Sequence, residues 1–387
     1  MTKTFDVAII GGGVIGASIA LELAGQKLRV VVLDRQQAGQ EASWSAAGML
    51  SPAPDSPRDI PLAPLGRESL KLYPEFVATV EEASGRPTGY AREGTLELFL
   101  APAGEAERDR RVSECKALGL AIEAAPLDAA REWEKSIGPA ARAAAWLPEE
   151  GTVEPRALTD SVLAAALQRR VELRAECAVT GLLREHERCI GVVAGGERVE
   201  AKHVVVAAGC FSSAIAGDDD LLARYAPTRP VRGQMLALRC NGAGLRRVLR
   251  SERGYLVPRR DGRIVAGSTS EEAGFEKRVT PGGMRQVLDA ALELLPGLAG
   301  AEIVETWSGL RPGTPDDLPI LGPTDIEGLL IATGHYRNGI LLAPVTAKLM
   351  REWIVDGRTG FDARVFSPLR FGSGHTINSP RSMSRGM

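Results

Sequence analysis

Apolar residues fall along this chain in short runs separated by glycines and charges. Phe5 to Ile10 is a short apolar run of strand length. A cluster of glycines follows it, and Ala17 to Ala24 then reads as a helix. Leu28 to Leu33 is a second apolar run, ending in Asp34. The pattern predicts a strand–turn–helix–strand unit at the front. Further on, 54–70 is rich in proline and charge and predicts a surface excursion. Segments 105–119 and 128–145 carry apolar residues on one face and predict helices. A helix is expected from about Ala157 to Arg169, after a loop with Pro155. Strands in sequence are expected over 171–213, the last ending at Ala207-Ala208-Gly209. From 226 to 305 the texture becomes that of antiparallel strands plus a helix near 281–295, with a hairpin turn through Asp261-Gly262.

This order predicts an α/β (α+β) fold: a Rossmann-like domain with an inserted antiparallel-sheet domain. The first would be discontinuous, from 1–85, 146–225 and 306–371. The second would comprise 86–145 and 226–305, leaving 372–387 as a polar tail. A chain of 387 residues is long enough for about two domains.

Composition narrows the function classes. Hydrophobic residues make up 44% and charged residues 25%, as in ordinary globular proteins. The formal net charge of −2 argues against a nucleic-acid partner, which calls for a basic face. Five cysteines at 115, 177, 189, 210 and 240 form no CxxC pair, so neither a zinc site nor a disulfide framework is expected. With no basic, apolar leader at the start, the expected compartment is the cytoplasm. Residues 7–25 have the length of a membrane span, but their glycines and Glu22 favour a strand–turn–helix and no integral membrane segment.

The chemistry begins at Gly11-Gly12-Gly13-Val14-Ile15-Gly16, a GxGxxG between strand and helix. Gly11 permits a tight turn, Gly13 lets a pyrophosphate approach the backbone, and Gly16 lets the helix pack closely on the strand. The helix N-terminus offers free N–H groups to phosphate. Asp34 can accept hydrogen bonds from ribose hydroxyls. "AGQEASWSAAGML" (38–50) is small and hydroxylated, and "SAAGM" looks like the start of another helix, which suits the longer FAD molecule; a plain loop remains the alternative. Gly209, at a strand end, points at a cofactor or simply makes a turn. Tyr255 begins a strand and by itself reads equally as a packing residue.

"PVRGQMLALR", "GYLVPRRDGRIVAGST", "WSGLRPGTPDDLPILGP" and "ATGHYRNGILLAP" add specificity. With these in place the chain resembles the D-amino-acid oxidase superfamily and, within it, the glycine oxidase (ThiO) family, over residues 4 to about 371. The resemblance implies a homotetrameric, cytoplasmic flavoprotein with non-covalent FAD. It implies oxidative deamination of glycine, sarcosine or D-alanine by hydride transfer from Cα to flavin N5. The imine would become an oxo acid and ammonia, molecular oxygen would become hydrogen peroxide, and the imine from glycine would feed thiazole formation in thiamine biosynthesis.

Residue by residue, the resemblance assigns the substrate carboxylate to Arg311 and active-site roles to Tyr255, Arg337 and Met49. It assigns FAD contacts to Val14, Ile15, Asp34, Arg35, Ala42, Ser43, Ala47, Gly48, Met49 and Val179. Further contacts are His335, Tyr336, Arg337, Asn338, Gly339, Ile340 and Leu341. Asp34 stands where the family often has Glu, HYRNG replaces HFRNG, and Ser270 takes a position where relatives carry larger side chains. A D-amino-acid dehydrogenase passing electrons to a quinone, and a non-catalytic flavin-binding protein, are the competing expectations.

Overall fold

The structure, a computed structural model, describes residues 4–215, 220–240 and 244–371. The expected polar tail, 372–387, lies outside the described residues.

Two eight-stranded sheets organise the described residues. In the first, the strands run in the order Ile320–Pro323, Leu329–Thr333, Glu197–Val206, Phe5–Ile10, Val30–Leu33, Glu172–Arg174. All neighbours along this path are parallel except the first pair. Val7 to Ile10 and Val30 to Leu33 are buried throughout, because helices cover one face and a meander of Val179–Glu185 and Arg188–Ala194 with further apolar groups covers the other. The helix Val14–Gly25 lies between Pro155–Gln168 and Gly339–Arg351 on one side of this sheet. The strand order reverses at Phe5–Ile10, whose two neighbours are reached by connections in opposite directions. A ligand site is expected beyond the carboxyl ends there.

The second sheet runs Glu302–Gly313, Arg229–Arg239, Arg263–Gly267, Gly254–Pro258, Val248–Ser251, Thr95–Phe99, Ala143–Leu147, Glu123–Ala125. Its pairs are antiparallel except Val248–Ser251 with Thr95–Phe99. The amphipathic helix Pro281–Leu294 packs on it through Val287, Ala291 and Leu294. The expected boundaries at 145/146 and 305/306 fall inside two of these strands.

Three local expectations are corrected. The excursion at 54–70 is instead a short 3₁₀ turn leading into a 22-residue helix, Ala63–Ser84. Pro64 stands in its first turn, where the missing N–H leaves no bond unmade. The helix expected over 128–145 stops at Trp133. Gly138 then packs so closely on Glu293 O that a Cβ would stand 2.2 Å from it. Ala143 to Ala145 follow as a buried strand: sheet contacts override their helix propensity. Finally, "SAAGM" does not start a helix. The helix is Ala42–Ser45, and the chain leaves it extended at Ala46 and reaches Gly48 at φ 77°.

No helix among the described residues is long and apolar enough to cross a membrane.

Candidate active site

A cavity of about 1290 Å³ runs between the two sheets. One end is built by the first βαβ unit. Gly11 sits at φ 105°, and a Cβ there would be 2.5 Å from Ala207 O, so only glycine lets the turn lie against that strand end. The first-turn N–H groups of the Val14–Gly25 helix have no intrahelical partners. One of them, on Val14, donates to Ser43 Oγ at 2.9 Å, which draws the 42–45 segment onto this helix end. Asp34 accepts from Gly12 N at 2.7 Å and Gln36 N at 3.0 Å. Burial pushes its carboxyl above the ordinary range, and those two N–H groups oppose the shift. Arg35 stacks over Phe211 at 3.6 Å and pairs with Glu41 at 2.6 Å.

The other end is built by the second sheet and the HYRNG turn. Arg311 lies on Glu302–Gly313, opposite Val231. Its Nη1 donates to Thr269 O at 3.1 Å and its Nη2 to Ser268 Oγ at 2.6 Å. Two of its five donors are thus engaged, and no carboxylate among the described residues pairs with it. Burial pulls its pKa below the usual guanidinium value and Tyr255 beside it opposes this; the group stays charged at neutral pH. Tyr255 lies flat over Gly267, where a Cβ would come 2.5 Å from the phenol oxygen. Met49, on a two-strand ribbon with Thr152, joins the same wall.

The strand Leu329–Thr333 delivers the HYRNG turn. Tyr336 takes φ 47° and its N–H donates to Pro312 O at 3.1 Å, which ties this turn to the GLRP strand. Asn338 caps the helix Gly339–Arg351, whose first turn faces the cavity through Gly339 and Ile340. His335 is buried and bonded to Thr346 at 3.0 Å, and burial lowers its pKa to about 3, so it is a neutral packing group. Arg337 is exposed and sits 3.6 Å from Asp55 of the 51–60 loop. Burial would lower its pKa, but Tyr336 and Asp55 raise it on balance.

The structure therefore places nearly every residue singled out above around one cavity. Gly16 and Leu341 stand apart. A Cβ on Gly16 would lie 1.9 Å from Gly11 O, the close helix–strand packing expected of it. Leu341 is buried, with its carbonyl accepting from Ser69 Oγ at 2.6 Å. Sequence reasoning missed Gly233, Ser268 and Thr269, which shape and anchor Arg311. Their signal was present in "PVRGQ" and "AGST", whose small residues sit where a strand pattern calls for bulk. It also missed Arg259 and Trp307, whose role depends on which carbonyls they reach. No group of three or more His, Cys, Asp or Glu among the described residues is arranged to hold a metal ion.

The residues fit FAD. The glycine cradle at Gly11 and the acid at Asp34 suit the adenosine diphosphate end, and the cavity continues far past them to Arg311. A dinucleotide-binding sheet joined to a second sheet across such a cavity defines a flavin-dependent oxidoreductase fold. Residues 6–353 match the family described as DAO, FAD dependent oxidoreductase, and the chain belongs to it. A bifunctional protein ThiO/ThiG of Trichormus variabilis is 38% identical over 364 residues, covering 92% of this chain and 53% of that protein. The chain thus spans about half the length of that relative. A glycine oxidase of Pseudomonas putida is 32% identical over 94% of this chain and 98% of its own. The crystal structure of glycine oxidase from Geobacillus kaustophilus superposes with a TM-score of 0.90 at 31% identity, covering 95% of this chain and 99% of that one.

Proposed function

We propose that the protein is an FAD-dependent amino-acid oxidase acting on glycine or another small amine such as sarcosine or D-alanine. The observation that carries this reading is Arg311, a cavity-wall guanidinium with free donors and no carboxylate partner among the described residues. The relatives named glycine oxidase support the choice of substrate class.

FAD, when bound, takes up the hydride lost from the substrate Cα and passes the electrons to oxygen. Everything else falls to the chain. Arg311 holds the substrate carboxylate by a planar two-point contact, with Thr269 O and Ser268 Oγ fixing the plane of the guanidinium. Tyr255 adds a hydrogen bond from its phenol. Fixing Cα in this way supplies several kcal/mol of the barrier reduction, up to ~7–11 in well-aligned cases. His335 takes no proton, since it is neutral and engaged with Thr346. With no side chain assigned as a base, the substrate is taken as the free amine. The first turn of Gly339–Arg351 offers N–H groups to negative charge at the same end. Ser270 lines the wall, at a position suited to tuning the size of the substrate side chain.

We further propose that the imine from glycine serves thiazole formation, which the resemblance to the ThiO/ThiG relatives supports, and that the protein works as a cytoplasmic homo-oligomer. Glycine, sarcosine and D-alanine are to be added anaerobically to the purified yellow protein, followed by air. Loss of the flavin absorbance with rapid recovery and peroxide is the expected outcome. Bleaching with no rapid recovery would assign electrons to another acceptor, and no bleaching by any of the three would reject the substrate class.

A further inference from the structure

The segment Trp44 to Gly48 crosses the cavity wall with the Ser45 and Ala47 carbonyls turned away from the cavity. Ser45 O accepts from Trp307 Nε1 at 3.1 Å, and Ala47 O accepts from Arg259 Nη2 at 2.6 Å. Neither Trp307 nor Arg259 lines the cavity, whereas Ala46, Ala47 and Gly48 do. In a trans peptide the N–H points opposite to the C=O. Pinning the Ser45 carbonyl outward therefore aims the Ala46 N–H inward, and pinning the Ala47 carbonyl aims the Gly48 N–H inward. Both N–H groups lack a backbone acceptor among the described residues.

The clamps are themselves held rigidly. The Arg259 side chain is 6% exposed, pairs with Glu154 at 3.1 Å and also donates to Val153 O at 3.1 Å. The Trp307 ring is 7% exposed and meets Trp44 edge to face at 6.5 Å. Gly48 is forced into place: a Cβ there would be 2.1 Å from Val153 O. Trp307 lies in the second sheet and Arg259 directly follows one of its strands, and the clamped segment packs on that sheet through Ala47 and Ser45.

We propose that Trp307 and Arg259 are positioning residues that hold the Ala46 and Gly48 amides against the second sheet as a donor pair for the flavin ring. Two fixed N–H groups favour whichever redox state carries more negative charge, because preorganised dipoles need no rearrangement when the charge appears. The clamp therefore favours reduced over oxidised flavin. This rests only on the FAD part of the reading above, not on its substrate.

The test uses Trp307→Phe, which keeps an aromatic ring and removes the N–H, and Arg259→Lys, which keeps the charge beside Glu154 but lacks the planar fork whose two Nη atoms reach Ala47 O and Val153 O separately. FAD affinity of each folded apoprotein and the midpoint potential of each holoprotein, reduced with dithionite, are compared with wild type. Each variant is expected to bind oxidised FAD up to tenfold more weakly and reduced FAD about tenfold more weakly still. That second factor lowers the midpoint potential by ~30 mV for a two-electron couple. An unchanged affinity and potential in both variants overturns the proposal. An affinity loss with no shift in potential also overturns it, because the two residues would then only stabilise the fold. A wild-type protein that binds no FAD would reject the proposed function itself and is distinguishable from either result.

Discussion

Gly233 lies directly beneath the Arg311 guanidinium: a Cβ at 233 would stand 2.3 Å from Nη1 and 2.4 Å from Nη2. The two residues sit on paired strands, offset by two positions, so the long side chain of one crosses the bare backbone of the other. Gly233→Ala is expected to push the guanidinium off Thr269 O and out of register with the substrate carboxylate. A misplacement of about 1 Å lowers kcat/KM by roughly 100-fold. Steady-state kinetics with glycine, alongside unchanged flavin content, checks this. Unaltered kinetics would mean that Arg311 does not hold the carboxylate.

Arg311→Lys tests the clamp chemically. A lysine ammonium is a point charge with no planar fork, so one of the two contacts is lost. A charge-assisted hydrogen bond contributes about 1.5–3 kcal/mol, which predicts a KM rise of roughly 10- to 150-fold. FAD should stay bound, because the residue stands at the far end of the cavity from Gly11 and Asp34. An unchanged KM would reject the assignment.

Gly11→Ala should separate cofactor binding from the second sheet. The added Cβ would meet Ala207 O at 2.5 Å and Ala207 C at 2.8 Å, both backbone atoms that cannot swing aside, and φ 105° is itself unfavourable for alanine. Clash and strain together destabilise by about 2–4 kcal/mol. The variant is expected to elute colourless from gel filtration and to melt below wild-type apoprotein. A yellow protein of normal Tm would show that the turn at Gly11 relaxes freely.

The front unit and the HYRNG turn were legible in the sequence because their signals are local. Phe5 to Ile10, the glycines and Asp34 follow in order, and Asn338 stands as an N-cap just before the apolar run that begins at Ile340. The helix Ala63–Ser84 was hidden because Pro61 and Pro64 read as loop punctuation, although Pro61 lies in the 3₁₀ turn before it and Pro64 in its first turn, where proline is tolerated. The strand Ala143–Leu147 was hidden because alanines carry no β signal, and only the neighbouring strands on either side make small residues fit there. Gly233 stands out as a small residue in a strand pattern, but the side chain it makes room for is distant in sequence, and Trp307 acts only through a distant carbonyl, so its local pattern could not reveal it.

His335 supplies a pH test of the buried end of the HYRNG turn. Its folded pKa is about 3, held down by burial, whereas an unfolded chain protonates it near 6.5. Above pH 6.5 both states are neutral and the residue adds no pH dependence. Between 6.5 and 3 the unfolded state takes up a proton that the folded state refuses, so stability falls as pH falls. His335→Gln keeps a polar partner for Thr346 and removes the titration. The difference in unfolding free energy between wild type and this variant should therefore move by ~2 kcal/mol against wild type from pH 7 to pH 5. Urea denaturation at the two pH values measures it. If the difference stays constant, His335 protonates in the folded protein as readily as in solution, and the neutral role given to it in substrate oxidation falls with that result.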